Sequence, residues 1–159
     1  MTSASPSSSA ASTPHPLLIL GAGDHAAAVT GLAKSLGYEV IGYTGAPGDP
    51  PVFRNLPVQP LQDWPTDVPV ALGVGNPIVR KRLLLEAKAS GRQVATLIHS
   101  SAVVDSSATI DVGTVIFPQC VVGIDVRLGA GVILNSSSVV EHESIIASFA
   151  HVSCGAVLG

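Results

Sequence analysis

From Ile98 to Leu158, every sixth residue of the chain is Ile, Val or Leu. A period of six is typical of a parallel β-helix, in which each hexad forms one short strand and one corner and three hexads close a triangular coil. The aliphatic side chain points into a narrow prism, and the small residue four positions later lets the corner close. The repeat therefore predicts a β-helix over residues 98–159. Its predicted interior positions are Ile98, Val104, Ile110, Ile116, Val122, Leu128, Leu134, Val140, Ile146, Val152 and Leu158.

The residues before the repeat follow the order strand, glycine turn, helix, strand, which is typical of a parallel α/β domain. Gly37 is placed to end the first helix, and Pro77 is placed to begin the second. The predicted strands cover 17–20, 38–43, 68–74 and 94–97, with a short one around Val58, and the predicted helices cover 26–36 and 77–90. We expect a small α/β domain over 17–97, preceded by a disordered Ser-, Ala- and Pro-rich tail over 1–16.

Composition and charge argue against several kinds of partner. The net charge is -3 and no basic block is present, which argues against nucleic acid. The apolar runs are far shorter than the roughly 20 residues of a membrane helix. Cys120 and Cys154 form no CxxC pair, and the N-terminus lacks the apolar segment of a secretory signal. These features favour a cytoplasmic protein.

The Gly21–Gly23 turn is a candidate phosphate site, because it lies between a strand and a helix N-terminus, where backbone N–H groups favour anions. Ala26 takes the place of the third glycine of the dinucleotide fingerprint, and no acidic residue ends the second strand, which argues against an NAD ribose contact. The alternative role of the two glycines is to allow tight packing. His25 either contacts a phosphate or caps the helix and faces solvent, and the sequence does not decide between these two roles.

Three stretches carry more specific motifs. Asn135, His142, Glu143 and His151 match a pattern of an Asn, a His-Glu pair and a second His nine residues after the first. The other two stretches are LLILGAGDHAAAV at 17–29 and Gly73-Val-Gly-Asn76 followed by Arg80. Over 17–159 the chain resembles the bacterial sugar acetyltransferases of the sialic-acid O-acetyltransferase and UDP-4-amino-sugar N-acetyltransferase type. Asp24 departs from the family's usual Gly, and family members continue for several coils that supply much of the acyl-CoA groove.

The resemblance implies an acetyl-CoA-dependent sugar acetyltransferase. It implies a Rossmann-like nucleotide-sugar-binding domain, a left-handed β-helix and a homotrimer with active sites between subunits. His142 would be the general base, Glu143 would fix its tautomer, His151 would contact acetyl-CoA, and no metal would take part. The implied substrate-binding residues are Gly21, Gly23, His25, Gly73, Asn76 and Asn135.

Other interpretations remain open at this stage. The chain could be a catalytically inactive module that binds a nucleotide-sugar or serves assembly, and the early end of the repeat favours this. His142 and Glu143 could form a solvated corner, His151 could be a surface residue, and Asn135 could serve a turn. A β-helix metalloenzyme of the γ-carbonic-anhydrase type needs a His-x4-His pair, which is missing. Cys120 is expected in the core.

Overall fold

The computed structural model describes residues 15–159, and residues 1–14, which hold most of the predicted tail, lie outside the described part. The described residues form an α/β domain followed by a parallel β-helix. The first strand begins at His15, so the predicted boundary of the tail at residue 16 is wrong by two residues. His15 and Pro16 extend the ladder by pairing with Tyr38 and Glu39. None of the described helices is long and apolar enough to cross a membrane.

The α/β domain contains one sheet of order β3-β4-β2-β1-β5, in which only the β3–β4 pair is antiparallel. Its elements are β1 (His15–Leu20), α1 (Asp24–Ser35), β2 (Tyr38–Thr44), β3 (Val52–Phe53), β4 (Leu56–Gln59), a 3₁₀ turn (Leu61–Asp63), β5 (Val70–Leu72) and α2 (Pro77–Ala89). β3 was not predicted. The predicted strand at 94–97 is wrong, because Val94 forms only a single bridge to Val70 and Leu97 begins the β-helix.

The burial of apolar side chains explains why the other predicted strands and helices of this domain form. Residues 17–20 of β1 are fully buried, as expected of a central strand of a parallel sheet with both faces covered. α1 buries Ala26, Val29 and Ala33, which are spaced to lie on one face of a helix. After α1, Gly37 adopts a φ of 82°, a conformation that glycine takes without steric cost.

The second half consists of two-residue strands at intervals of six residues, as the repeat predicts. They are β6 (Leu97–Ile98), β7 (Val103–Val104), β8 (Thr109–Ile110), β9 (Val115–Ile116), β10 (Val121–Val122), β11 (Arg127–Leu128), β12 (Ile133–Leu134), β13 (Val139–Val140), β14 (Ile145–Ile146), β15 (His151–Val152) and β16 (Val157–Leu158). They stack in three parallel sheets, β6-β9-β12-β15, β7-β10-β13-β16 and β8-β11-β14, one for each side of the coil. This arrangement fits a left-handed β-helix.

The interior of the prism contains the predicted aliphatic residues. Ile116, Val122, Leu134 and Val140 are at most 1% exposed, whereas the aliphatic residues of the first coil, such as Ile98, are partly buried. Cys120 lies fully buried at a small-residue position, as expected. The hexad register is therefore confirmed by the burial of the interior side chains.

The corners of the β-helix share a backbone conformation that the sequence analysis did not predict. Every sixth residue from Gly113 to Gly155 has a φ between 54° and 74°. Three of these residues are glycines, and the others are Gln119, Asp125, Ser137, Glu143 and Phe149. Positive φ is uncommon for residues with a side chain, so the coil imposes this geometry at its corners.

The α/β domain covers one side of the β-helix. The first residue of each two-residue strand points outward, and Leu97, Val115 and Ile133 form an outward column on the β6-β9-β12-β15 side. All three are buried in the same apolar cluster as the α1 residues Ala26 and Val29. Apolar packing therefore fixes α1 against this side of the prism.

Candidate functional site

His151 continues the outward column that packs under α1. It pairs in register with Ile133, which pairs with Val115 in turn. The imidazole ring of His25, on the first turn of α1, lies 5.8 Å from the ring of His151 and 5.9 Å from the ring of Phe117, measured between centroids. The structure thus brings together two predicted site residues, His25 and His151, at the junction of the two domains.

The surroundings of these two histidines favour their neutral forms. Burial lowers the pKa of His25 to about 4, with smaller contributions from the charges of His151 and Arg80. Burial and then Arg80 lower the pKa of His151 as well. The Nε2 atom of His25 is buried and has no hydrogen-bond partner within residues 15–159. Both rings are therefore uncharged near pH 7, and His25 has an unused polar atom.

Asn135 fixes the tautomer of His151. The Asn135 Oδ1 atom accepts the Ser136 N–H at 3.1 Å, so its Nδ2 atom is the one that faces His151 Nε2, at 3.4 Å. An amide NH₂ only donates, so Nε2 is the acceptor and the neutral ring carries its proton on Nδ1. His151 therefore has an N–H available to donate to a ligand.

His142 and Glu143 lie at the corner between β13 and β14. Glu143 has a φ of 58°, and this turn brings its Oε2 atom to 3.4 Å from His142 Nδ1. Both side chains are largely exposed, at 71% and 79%. Adjacent residues of a straight strand would point to opposite faces, so the left-handed corner is what makes this contact geometrically feasible. A carboxylate at Nδ1 favours the tautomer in which Nε2 is free to accept a proton.

A pocket of about 630 Å³ lies at the carboxyl edge of the parallel sheet, which is where open α/β sheets bind ligands. Gly21, Gly23 and Thr44 line it, and in its wall Arg82 forms an ion pair with Glu86 at 3.6 Å. The Thr44 Oγ1 atom accepts the Gly21 N–H at 3.0 Å, so that donor is already satisfied. The N–H groups at the start of α1 remain as donors for an anion.

Gly23 and Gly73 differ in the space that surrounds their Cα atoms. A Cβ atom on Gly23 would meet nothing within 4 Å, so packing does not require a glycine there. A Cβ atom on Gly73 would lie 2.5 Å from Ile19 Cγ2 and 3.0 Å from the Leu20 carbonyl oxygen. Packing alone therefore explains Gly73, while the space in front of Gly23 is open to a ligand.

Asn76 has a clear local role. Its side-chain oxygen accepts the N–H groups of Ile78 and Val79 at 3.0 and 3.2 Å, and it thereby caps the N-terminus of α2. Neither Asn76 nor Gly73 is among the residues that line the pocket. Their predicted contact with substrate stays a prediction, whereas their contribution to the fold is visible.

Apart from Gly73 and Asn76, the predicted site residues fall into three separate groups. Gly21 and Gly23 line the pocket, His25 and His151 meet at the domain junction, and His142 lies at a β-helix corner. That corner joins the β7-β10-β13-β16 and β8-β11-β14 sides, so it is opposite the side that carries His151. Within one chain the structure does not bring His142 to His151. Among residues 15–159 no group of His, Cys, Asp and Glu is arranged to hold a metal ion.

Two residues of the junction were not predicted as site residues. Phe117 contacts His25, and the guanidinium of Arg80 lies fully buried close to both histidines. Arg80 belongs to the Gly73–Asn76 motif, which was the only signal in the sequence that could have identified it. Its burial against the β-helix depends on how the two domains pack, and local sequence patterns do not predict the packing of two domains.

Comparison with known proteins identifies relatives of both domains. The family model described as "PglD N-terminal domain" matches residues 16–87. The acetyltransferase domain of PglB from Neisseria gonorrhoeae, solved with acetyl coenzyme A, is 30% identical; the match covers 92% of this chain and 74% of that chain with a TM-score of 0.83.

Two more distant structures share the fold. A mutant of GDP-perosamine N-acetyltransferase from Caulobacter crescentus, solved with CoA and GDP-perosamine, is 22% identical over 91% of this chain and 70% of that chain, with a TM-score of 0.77. WeeI from Acinetobacter baumannii is 17% identical over 91% of this chain and 72% of that chain, with a TM-score of 0.79.

Proposed function

This chain belongs to the bacterial sugar acetyltransferases with hexapeptide repeats, and from this premise we propose that it transfers the acetyl group of acetyl-CoA to an amino or hydroxyl group of a nucleotide-sugar. The observation that carries the proposal is the contact between His142 and Glu143 at an exposed corner. Acyl transfer needs a base for the acceptor's proton, and a neutral imidazole held by a carboxylate supplies one.

In the proposed reaction, the acceptor nitrogen or oxygen forms a bond with the acetyl carbon while His142 Nε2 takes its proton. The C–S bond of the thioester then breaks, and the departing thiolate takes up a proton to leave as free CoA thiol. His151 donates its Nδ1–H to the acetyl donor, which suits a thioester oxygen that becomes negative in the transition state. The tautomer set by Asn135 supports this role.

The α/β domain would act as a Rossmann-like holder of the nucleotide-sugar. The pocket at the carboxyl edge of the sheet has the size of a small-molecule site. The N–H groups that begin α1, next to Gly23, suit the phosphates, whereas the charge of Arg82 in the pocket wall is paired with Glu86. Asp24 in the first turn of α1 adds a negative charge near this place, which disfavours a highly charged anion.

A thiol-release assay tests the proposed reaction. Incubation of the chain with acetyl-CoA and a panel of UDP-amino-sugars is expected to release CoA thiol only when an acceptor is present. Calorimetry with the same nucleotide-sugars in the absence of acetyl-CoA measures binding separately. Binding without thiol release would contradict the enzyme proposal and favour the alternative, an inactive nucleotide-sugar-binding or assembly module.

We further infer that the working site is shared between subunits of a homotrimer, because His142 and His151 lie on opposite parts of the same prism. An outward column on the β7-β10-β13-β16 side supports this inference. Val103, Val121, Val139 and Val157 stack in register there, and Val103 and Val157 are 64% and 68% exposed. The equivalent column on the side packed against α1 is buried, so an exposed valine column suits a subunit interface.

Complementation tests the shared site. His142→Ala and His151→Ala chains are each expected to be inactive. Each shared site takes His142 from one subunit and His151 from its neighbour, so in a random equal mixture of the two variants about a quarter of the sites contain both histidines. Mixed trimers are therefore expected to recover about a quarter of wild-type activity. Mixing His142→Ala with His142→Asn is the control and restores nothing. Light scattering gives the oligomeric state. A monomer, or mixed trimers without recovery, would contradict the inference.

A further inference from the structure

Arg80 lies on the first turn of α2 and is 1% exposed. Its guanidinium donates only to backbone carbonyl oxygens, and these belong to both domains. Two carbonyls are in the loop after β5, those of Val74 and Gly75, at 2.9 and 2.6 Å. The other three are in the β-helix: Gly131 at 2.7 Å, Ala150 at 3.3 Å, and Phe149. The five bonds match the five N–H donors of an arginine side chain.

The carbonyls that Arg80 holds lie next to the two histidines of the domain junction. Ala150 directly precedes His151 in the chain. On the other side, a Cβ atom built on Gly75 would be 4.0 Å from His25 Cβ. Gly131 and Phe149 are corner residues with φ values of 62° and 64°. Arg80 therefore connects the segment beside His25 to the corner that leads into His151.

The charge of Arg80 has no counterion. No carboxylate of the described residues forms an ion pair with it, and carbonyl dipoles alone solvate the guanidinium. A buried charge is costly unless its hydrogen bonds are complete, and these are. The charged or titratable groups that face one another at the junction are Arg80, His25 and His151. A proton on either histidine would therefore add a second positive charge beside a first that is not neutralised.

We propose that Arg80 is a positioning residue of the acetyl-transfer site, which holds His25 and His151 at a fixed separation and places an uncompensated positive charge beside both imidazoles. The proposal rests on the function proposed above. A neutral His151 keeps the tautomer in which Nε2 accepts from Asn135 and Nδ1–H faces a ligand. A protonated ring would donate from Nε2 toward the Asn135 NH₂ group and lose that hydrogen bond.

The first test measures the titration of the histidines by NMR, without any substrate. In wild-type protein, His25 and His151 are expected to titrate below the ordinary histidine value. In Arg80→Gln, which removes the charge, the pKa of both rings is expected to rise. Arg92→Gln is the matched control: Arg92 is also buried and donates to the carbonyls of Leu61, Trp64 and Pro65. It should leave both titrations unchanged.

The second test separates the geometry from the charge. Arg80→Lys keeps the charge but cannot reach five carbonyls, and it is expected to lower kcat by up to about 100-fold, the loss that a misplacement of about 1 Å can produce. The histidine pKa values of Arg80→Lys should stay below the ordinary value.

Either half of the proposal can fail on its own. Unchanged histidine pKa values in a folded Arg80→Gln variant would overturn the claim that the charge of Arg80 acts on the two imidazoles. If that variant does not fold, the wild-type protein provides the test: a His25 or His151 that titrates at or above the ordinary histidine value would overturn the same claim. Wild-type kcat in Arg80→Lys would overturn the positioning half. If the wild-type chain transfers no acetyl group but the titrations respond to Arg80→Gln, the proposed function fails and the electrostatic role stands.

Discussion

Replacement of His142 by alanine is expected to lower kcat by about two to four orders of magnitude, the usual contribution of a general base. The thermal midpoint should not change, because the imidazole is 71% exposed and its polar contact is with Glu143, which is exposed as well. Substitutions of exposed side chains usually alter the free energy of unfolding by at most about 0.5 kcal/mol. Steady-state kinetics in the thiol-release assay and a thermal melt of the same sample measure the two quantities.

His99→Ala is the matched control for this substitution. His99 also lies at a corner of the β-helix, where its Nδ1 atom contacts the Ser101 hydroxyl at 2.8 Å, and it belongs to none of the three groups of site residues. Its replacement should leave kcat at the wild-type value. Wild-type turnover in His142→Ala would show that another group is the base, and equal losses in both variants would show that the effect is not specific to His142.

Replacement of Val122 by aspartate is expected to unfold the β-helix. Val122 is 1% exposed in the centre of the prism, among aliphatic residues of neighbouring coils. A carboxylate there would have no partner, and burial of an unpaired charge costs several kcal/mol, a large part of the roughly 5–15 kcal/mol that hold a domain together. We expect a loss of more than about 4 kcal/mol in the free energy of unfolding, measured by denaturant titration.

The control for this substitution is Ile145→Asp. Ile145 is also an aliphatic residue of a β-helix strand, but it points outward and is 73% exposed. We expect this variant to remain folded, with the circular dichroism spectrum of the wild type. A stable, cooperatively unfolding Val122→Asp variant would disprove the inward position of the repeat.

Much of the fold follows from periodicity alone. The aliphatic repeat predicted each β-helix strand, because burial in a narrow prism leaves a strict period. The glycine turn and the helix that ends just before Gly37 were predicted for a similar reason, since they depend on neighbours in the chain. The short strand β3 was missed because two residues carry too little pattern.

The site was less predictable than the fold. The contact of His142 with Glu143 depends on a left-handed corner. Only three of the eight corner residues are glycines, and residue types such as those of Phe149 and Gln119 do not predict a positive φ. The buried position of Arg80 depends on long-range packing: its partners Gly131 and Ala150 are 51 and 70 residues away in the chain. Such contacts arise only when the two domains have come together.

The stacking of hexads also limits how this chain can lengthen or shorten. One inserted residue between two strands would turn every later outward side chain inward, since neighbouring strand residues face opposite ways. One inserted hexad would keep the interior aliphatic but shift each later side chain to the next side of the triangle, so His151 would leave the α1 side. Only insertion of a whole coil would return His151 to that side, displaced by about 4.8 Å along the axis. Gains and losses of sequence in the repeat should therefore occur as whole coils.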